Sequence, residues 1–263
     1  MEKIKKGIEP TKTLLLVVIA MIVIGALNLS LPISNKESIQ MIDALFVSTS
    51  AVCVTGLTTV IPIEQFTIVG QIILLVLIQI GGIGLMTMIS IILISIGRRL
   101  NLSDKILIRE SLNQNSFKGL IKLIKRISIY TFIIEILGAL ILATRFIPDF
   151  GIKRGIWFAI FHSISAFCNA GFDLLGNNSI MQYSSNWLVC LTLMVLIIIG
   201  GLGFTVWNDI IEIIKTKKKM KHLMVHTKIV LIMTAILLLA GMLSIFIIEN
   251  ENLQTMGDDT LRN

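Results

Sequence analysis

Five apolar segments, each long enough to cross a lipid bilayer, constrain the fold of this chain more than any other feature. A bilayer core about 30 Å thick needs roughly 20 helical residues, because an α-helix rises about 1.5 Å per residue. With 55% apolar and only 15% charged residues, the chain is neither disordered, nor a secreted disulfide scaffold, nor a typical water-soluble enzyme. We predict an all-α integral membrane protein whose spans are residues 13–31, 66–96, 127–147, 187–211 and 229–248.

The basic residues lie in three clusters between these spans. Residues 1–12, 98–126 and 215–228 hold eighteen of the twenty-three lysines and arginines. Because basic loops remain in the cytoplasm, we place all three clusters and the N-terminus on the cytoplasmic side of the cell (plasma) membrane. The net charge of +7 is thereby explained by residues next to the membrane, and we predict no nucleic-acid partner.

Two further apolar stretches, residues 39–54 and 155–168, are too short to cross a bilayer. Each gives about three helical turns and then reaches a glycine-centred, helix-breaking sequence. Segments of this length between two spans are typical of re-entrant pieces. An amphipathic helix on the membrane surface is the alternative for either stretch alone.

An internal repeat joins these pieces into units. FVSTSAVCVTGL at 46–57 and FHSISAFCNAGF at 161–172 share six of twelve residues at an offset of 115, and IGGIG at 80–84 matches IGGLG at 199–203 at an offset of 119. The repeated unit is a spanning helix, a short helix, a glycine turn and a second spanning helix. The predicted organisation is a cytoplasmic N-terminus (1–12), a first unit (13–97), a cytoplasmic basic amphipathic linker (98–126), a second unit (127–214), a cytoplasmic basic loop (215–228) and the first helix of an incomplete third unit (229–263).

The glycine turns have the chemistry of a cation pore. Irregular backbone at half-membrane depth costs several kcal/mol per unsatisfied group unless protein covers it or it lines water or an ion. Glycine permits the positive φ that turns successive carbonyls to one side, rings of carbonyls can replace the hydration shell of a monovalent cation, and the C-terminal end of the short helix adds negative potential. We predict a selectivity filter formed by Cys53, Val54, Thr55, Gly56, Cys168, Asn169, Ala170 and Gly171.

These residues resemble the Trk/Ktr/HKT superfamily, the ion-translocating subunits of Ktr/Trk-type potassium uptake systems. The resemblance rests on TSAVCVTGL at 49–57, ISAFCNAGF at 164–172 and the double-glycine second helices. It implies four units around one central pore, each with one filter glycine, and transport of K⁺, with Na⁺ coupling left open. Gly56 matches the potassium-preferring members, whereas serine at this position is associated with sodium preference.

The spacing of the filter glycines bears on the length of the chain. From first helix to filter glycine takes about 43 residues in the first unit and about 44 in the second, so a third glycine is expected near position 272, beyond Asn263. We therefore expect this chain to be the N-terminal part of a transporter. Pairing of two copies would also supply four filter loops, but their third helices disfavour it.

Several single residues have two interpretations each. Glycine pairs in spans most often allow close helix packing, which we favour over a pore hinge for Gly81, Gly82, Gly84, Gly200, Gly201 and Gly203. Glu135 in a span is a functional candidate by default, but we favour a structural hydrogen bond, and we expect Gln71 and Gln79 to form interhelical hydrogen bonds. Asp173 either attracts cations or shapes a turn. Thr55 and Asn169 either support the filter through their side chains or are tolerated at a wet mouth.

No enzyme chemistry is apparent. The sequence has no Ser/His/Asp set and no phosphate loop, and neither the three cysteines nor His162, His222 and His226 have metal-ligand spacing. We expect no disulfide between Cys53 and Cys168, and no cofactor besides transported K⁺. We predict a pore-forming subunit for K⁺ transport; the alternatives are a multi-span structural or assembly protein and an inactive fragment of the transporter.

The resemblance also implies partners. Members of the superfamily bind a cytoplasmic nucleotide-binding regulatory subunit, and the complete protein is expected to be a homodimer. The basic segments 98–126 and 215–221 could contribute to that docking surface. The first of them has an amphipathic helical pattern, for which contact with membrane lipid is the interpretation we favour. Its apolar positions are Leu107, Leu112, Leu120, Ile121 and Ile124.

Overall fold

The computed structural model describes residues 10–84, 87, 120–217 and 219–249. Helices dominate this part of the chain, and an isolated antiparallel bridge between Asn35 and Phe66 is its sole β-type pairing. The chain divides into two compact units with the boundary between Gly201 and Leu202. Residues 1–9, 85–86, 88–119, 218 and 250–263 lie outside the described residues; they include the end of the predicted span 66–96 and most of the predicted basic linker.

The first compact unit holds seven described α-helices. They are α1 (Pro10–Ser30), α2 (Met41–Val52), α3 (Pro62–Gln65), α4 (Ile68–Ile83), α5 (Leu120–Phe150), α6 (Ile152–Phe167) and α7 (Trp187–Gly201). The short helices α2 and α6 are those predicted from segments 39–54 and 155–168. Thr67 caps α4 by accepting a hydrogen bond from the Gly70 amide (3.3 Å).

The core of this unit lies between the long and the short helices. α2 packs on α1 and α4, and α6 packs on α5, α7 and α4. Val47, Leu74, Phe146 and Phe161 are fully buried there. The outward faces of α1, α5 and α7 carry exposed leucines and isoleucines, as expected of surfaces whose solvent is lipid. The contact between α4 and α6 joins the first predicted repeat to the second.

The second compact unit contains α8 (Phe204–Lys215) and α9 (Val225–Glu249), joined by a 3-10 turn at Met220–His222. Asp209 is buried and its carboxylate accepts a hydrogen bond from the Met224 amide (2.9 Å). Lys228 donates to the Lys221 carbonyl (2.7 Å). These bonds fold the basic loop back on itself.

Two of the five predicted spans differ from the structure. By length and composition, α5 and α9 can each cross a membrane, and α7 with α8 forms a third candidate only as a broken span. The prediction of a continuous helix over 187–211 was wrong, because Gly203 has a φ of +86°. The helix predicted to begin at Phe66 ends at Ile83, because Gly84 also has a φ of +86°. The described apolar part of α1, Leu15–Ser30, matches the first predicted span but is shorter.

Candidate functional site

The two predicted filter segments have the same local structure. In each, the short helix ends one residue before the cysteine, and a tight turn follows. In the first segment the amides of Cys53 and Thr55 donate to Thr49 and Ser50 (both 2.8 Å). In the second, at positions 115 residues later, the amides of Cys168 and Ala170 donate to Ile164 (2.9 Å) and Ser165 (2.8 Å).

Left-handed backbone recurs at corresponding positions in both turns. Val54 and Asn169 have φ values of +55° and +58°, and Gly56 and Gly171 have φ values of +80° and +73°. A non-glycine residue with positive φ is uncommon and costs about 1–3 kcal/mol, so it persists only where the surroundings impose it. The sequence indicated the glycines, and asparagine is a residue type that tolerates a positive φ, but the positive φ of the β-branched Val54 has no signal in its residue type.

The backbone carbonyls of these turns accept no hydrogen bond from the part of the chain that the structure describes. Among the described residues, no hydrogen bond ends on a carbonyl oxygen of 53–56 or 168–171. Most residues of these two turns are exposed or half-buried, so their unpaired carbonyl oxygens are open to a cation or to water. The assignment of these residues to a selectivity filter stays a prediction.

The two turns lie against each other at their glycines. A Cβ placed on Gly56 would come within 2.6 Å of the Ala170 carbonyl oxygen and 3.0 Å of the Gly171 Cα, and a Cβ on Gly171 would lie 3.3 Å from the Gly56 Cα. Cys53 and Cys168 are both free thiols, the first exposed and the second buried. The structure thus brings both predicted filter segments together at one place.

Glycines of the second helices support the turns from behind. Space for the Val52 carbonyl exists only because Gly81 has no side chain, and Gly200 accommodates the Phe167 carbonyl in the same way. Gly82 leaves room for the Cys168 side chain. The close packing expected of these three glycines is confirmed, whereas Gly84 and Gly203 break their helices.

The two turns differ in their side-chain bonds. The Ser165 hydroxyl donates to the Phe172 carbonyl (2.6 Å), whereas the buried Ser50 hydroxyl has no partner among the described residues. The Asn169 amide, oriented to satisfy both neighbours, donates to the Ile197 carbonyl (3.3 Å) and accepts from the Gly201 amide (3.2 Å). Polar side chains therefore support the second turn in a way that the first turn lacks, and of the two interpretations of Asn169 these bonds favour support of the turn.

Polar residues inside the helices form the predicted interhelical bonds. Gln79 of α4 donates to the Glu135 carboxylate of α5 (2.7 Å), and the Trp157 indole N–H of α6 donates to the side-chain oxygen Oε1 of Gln71 (2.7 Å). The structural hydrogen bond expected of Glu135 is confirmed, with Gln79 as the partner that the sequence did not reveal. The bonded residues are 56 positions apart in one pair and 86 in the other, so no local sequence pattern could have predicted these bonds.

A cavity of about 250 Å³ lies beside the second turn, lined in part by Asn169, Gly171 and Asp173. Both Asp173 oxygens are used locally, accepting from the Leu175 amide and the Ser179 hydroxyl (both 2.8 Å). This arrangement favours the turn interpretation of Asp173. His162 lines the same cavity, fully engaged through the Phe158 carbonyl (2.7 Å) and the Leu174 amide (3.3 Å).

The loop that follows the second turn is tied to the end of α5. The Tyr183 hydroxyl donates to Asp149 (2.7 Å), which also pairs with Arg145 (3.3 Å). Burial, and next the bond to Asp149, raise the pKa of Tyr183 above its ordinary value. Among the described residues no group of three or more His, Cys, Asp or Glu side chains could hold a metal ion.

Sequence reasoning missed one pair of contacts that holds each short helix in place. The Ser48 hydroxyl donates to the Ile22 carbonyl and the Ser163 hydroxyl to the Glu135 carbonyl (both 2.7 Å). Gly25 and Gly138 make room for these two hydroxyls. The signal was present, because Ser48 and Ser163 are among the six repeated identities, but their partners lie in the outer helices, where the repeat has an offset of 113.

Comparison with known proteins gives one consistent family. The family model described as TrkH, cation transport protein, matches residues 9–254. The chain belongs to the TrkH family. The potassium/sodium uptake protein NtpJ of Enterococcus hirae is 40% identical over 255 residues, covering 96% of this chain and 55% of NtpJ. Ktr system potassium uptake protein B of Bacillus subtilis is 41% identical over 236 residues, covering 90% of this chain and 52% of the relative.

A third relative, Ktr system potassium uptake protein B of Vibrio alginolyticus, is 40% identical over 255 residues, with 97% of this chain and 55% of the relative aligned. This TrkH-family chain spans about half the length of the curated relatives it matches. The family is one of integral membrane transporters and not of enzymes, which agrees with the membrane-capable helices α5 and α9.

Proposed function

We propose that this TrkH-family chain provides part of a potassium-conducting pore, with its filter formed by residues 53–56 and 168–171. The observation that carries the proposal is the pair of contacting turns whose carbonyl oxygens have no protein donor among the described residues. Such oxygens can replace the water around a monovalent cation. The names of NtpJ and of the Ktr proteins, which are potassium or potassium/sodium uptake proteins, support K⁺ as the ion and keep Na⁺ as a candidate second ion.

The arrangement that we propose follows the repeat. Two units, residues 13–97 and 127–214, each place a short helix and its turn beside the pore, and residues 229–263 begin a third. The shared backbone geometry of the two turns, and the equivalent Ser48 and Ser163 bonds, support this division. The basic segments would lie in the cytoplasm, in the cell membrane's positive-inside orientation.

The proposed partners, like the proposed ion, are inferred from the names of the relatives. Relatives are named as components of a Ktr system, which supports a cytoplasmic regulatory subunit docking on the basic side, and a homodimer of the transporter subunit. Membrane lipid is the other proposed partner of the basic segments.

Substitution of the filter glycines tests the proposal. Gly56→Ser and Gly171→Ser each place a side chain at a positive φ in the contact between the turns. Each variant is expressed from the protein's own gene in a potassium-uptake-deficient bacterium. It should lose K⁺ uptake, or need a K⁺ concentration at least about tenfold higher than the parent for the half-maximal uptake rate. A strain of about 1.4 kcal/mol in the filter corresponds to a tenfold change in binding.

Gly151→Ser is the matched control, because Gly151 also has a positive φ, +77°, but nothing lies within 4 Å of its added Cβ. Its backbone strain is comparable and it is remote from the turns, so K⁺ uptake should stay within about twofold of the parent. Unaltered uptake in both filter variants would refute the filter and favour the alternative of a structural membrane protein whose glycines serve helix packing alone.

A further inference from the structure

A buried polar pair links the two predicted units immediately behind the second turn. Gln79 of α4 donates from Nε2 to the Glu135 Oε1 of α5 (2.7 Å). The side chains are only 7% and 4% exposed. The second carboxyl oxygen of Glu135, Oε2, has no partner among the described residues.

The same glutamine contacts the second filter segment. The Cys168 thiol lies 3.9 Å from the Gln79 Oε1 and donates to it. Gly82, three residues later on α4, makes room for the Cys168 side chain. The Glu135 carboxyl thus orients the Gln79 amide, and the amide orients the first residue of the second turn.

The first turn has no such support from the equivalent positions. Gln79 corresponds at the offset of 119 to Ile198, and Glu135 corresponds at the offset of 113 to Ile22. The correspondence of Ile22 with Glu135 is also structural, because the Ser48 and Ser163 hydroxyls donate to their respective carbonyls. The first unit has isoleucine where the second has Glu135, and the second unit has isoleucine where the first has Gln79. The packing of the repeat therefore does not require a polar residue at either position.

Stability does not account for the pair. A buried carboxyl with one unsatisfied oxygen is costly, and replacing a buried polar pair by apolar residues of similar volume is often neutral or stabilising. An ionisable residue retained inside a membrane helix is a functional candidate by default, and here it lies one side chain away from the proposed filter.

We propose that Glu135 and Gln79 are positioning residues that hold the second filter segment through Cys168 and thereby set the ion preference of that segment. The pair would make the two filter segments inequivalent, with the second more rigid than the first. The inference rests on the proposed function for its effect on ion preference, but the positioning itself is open to a test that needs no transport.

The positioning test measures the reactivity of Cys168. In a Cys53→Ala/Cys190→Ala background, Cys168 is the remaining thiol of the three cysteines. The double variant Gln79→Ile/Glu135→Ile copies the isoleucines of the equivalent positions in the other unit, so neither an unpaired carboxyl nor an unpaired amide is left buried, and the Cys168 thiol alone loses its acceptor. A buried thiol reacts with a water-soluble methanethiosulfonate reagent only while the turn around it is open, so the reaction rate reports how often the turn opens. We expect Cys168 to react roughly tenfold faster in the double variant than in the background with Gln79 and Glu135 intact.

Two further variants separate positioning from general loosening. Gln71→Leu removes the bond between the other glutamine of α4 and Trp157 of α6 without touching Cys168, and should leave the Cys168 reaction rate within about twofold of the parent. Glu135→Gln keeps an oxygen to accept from Gln79 and should also react as slowly as the parent. Equal rates in the double variant and the parent, or an acceleration by Gln71→Leu as large as that of the double variant, would overturn the inference.

The transport readout addresses ion preference. In the double variant, the preference for K⁺ over Na⁺ in uptake competition should fall roughly three- to tenfold, which is the loss of about one hydrogen bond, while the amount of protein in the membrane stays the same. If Cys168 reacts faster but the preference is unchanged, the part of the inference that concerns ion preference is refuted. If the parent transports no K⁺, the proposed function fails, while the rate of the Cys168 reaction still decides the positioning.

Discussion

At the scale of single residues, the three glycines of each IGGIG-type motif have three different roles. The first admits a carbonyl from the end of the short helix, the second admits a side chain or leaves space, and the third takes a positive φ and ends the helix. The sequence predicted close packing because small residues in apolar helices usually allow close approach. The sequence did not show that the third glycine breaks the helix, because the residues on both sides of Gly84 and of Gly203 are apolar.

The first prediction concerns Gly200. Because a Cβ on Gly200 would overlap the Phe167 carbonyl oxygen, Gly200→Ala should force a backbone shift and lower the free energy of unfolding by about 1–3 kcal/mol. Thermal unfolding of the protein in detergent, followed by tryptophan fluorescence, measures the change. Gly241→Ala is the matched control, because Gly241 also lies in an apolar helix but has open space around it.

The control should leave the unfolding temperature unchanged or raise it, since alanine is favoured over glycine in a helix by about 0.5–1 kcal/mol. Equal unfolding temperatures for the two variants would mean that the contact between α7 and the end of α6 is not close in solution.

At the scale of elements, each short helix is attached to the long helix before it by a serine and a glycine. The turns and their filter residues were predictable because the repeat marks them and because glycine at a fixed spacing restricts the backbone. The serine contacts were not, because each bond ends on a backbone carbonyl, of Ile22 or of Glu135, and the residue type does not mark which helix packs there. The Gln79–Glu135 bond was beyond the sequence for the same reason, since it depends on which helices pack together.

The second prediction compares the two serines. Ser48→Ala and Ser163→Ala each remove one bond to the preceding helix, and each should lower the free energy of unfolding by a similar amount, about 0.5–1.5 kcal/mol. Ser128→Ala is the control, because the Ser128 hydroxyl donates to Ile124 of its own helix (2.9 Å) and holds no second element. Thermal unfolding of all three variants in one detergent provides the comparison, and a large effect in one unit with none in the other would argue against equivalent units.

At the scale of the whole molecule, hydropathy and charge predicted the class, and the structure changed the number of continuous spans. A window of apolar residues does not reveal a break of one or two residues, so residues 187–211 were predicted as one helix although Gly203 interrupts them. The orientation depends on charge alone, because eighteen of twenty-three basic residues lie in three segments. Sidedness is a property of the membrane that no contact within the chain fixes, and it requires an experiment on cells.

The third prediction tests that orientation. Lys153 at the start of α6 and Lys221 between α8 and α9 are both exposed, so a cysteine at either position is open to solvent, and a difference in labelling must come from the membrane. In a Cys53→Ala/Cys190→Ala background, Lys153→Cys should react with an impermeant maleimide on intact cells, and Lys221→Cys should react only after the membrane is permeabilised. The background without either new cysteine reports labelling of the buried Cys168. The predicted topology rests on the excess of lysine and arginine in cytoplasmic loops. Labelling of Lys221→Cys on intact cells would place the basic loop outside and contradict that topology.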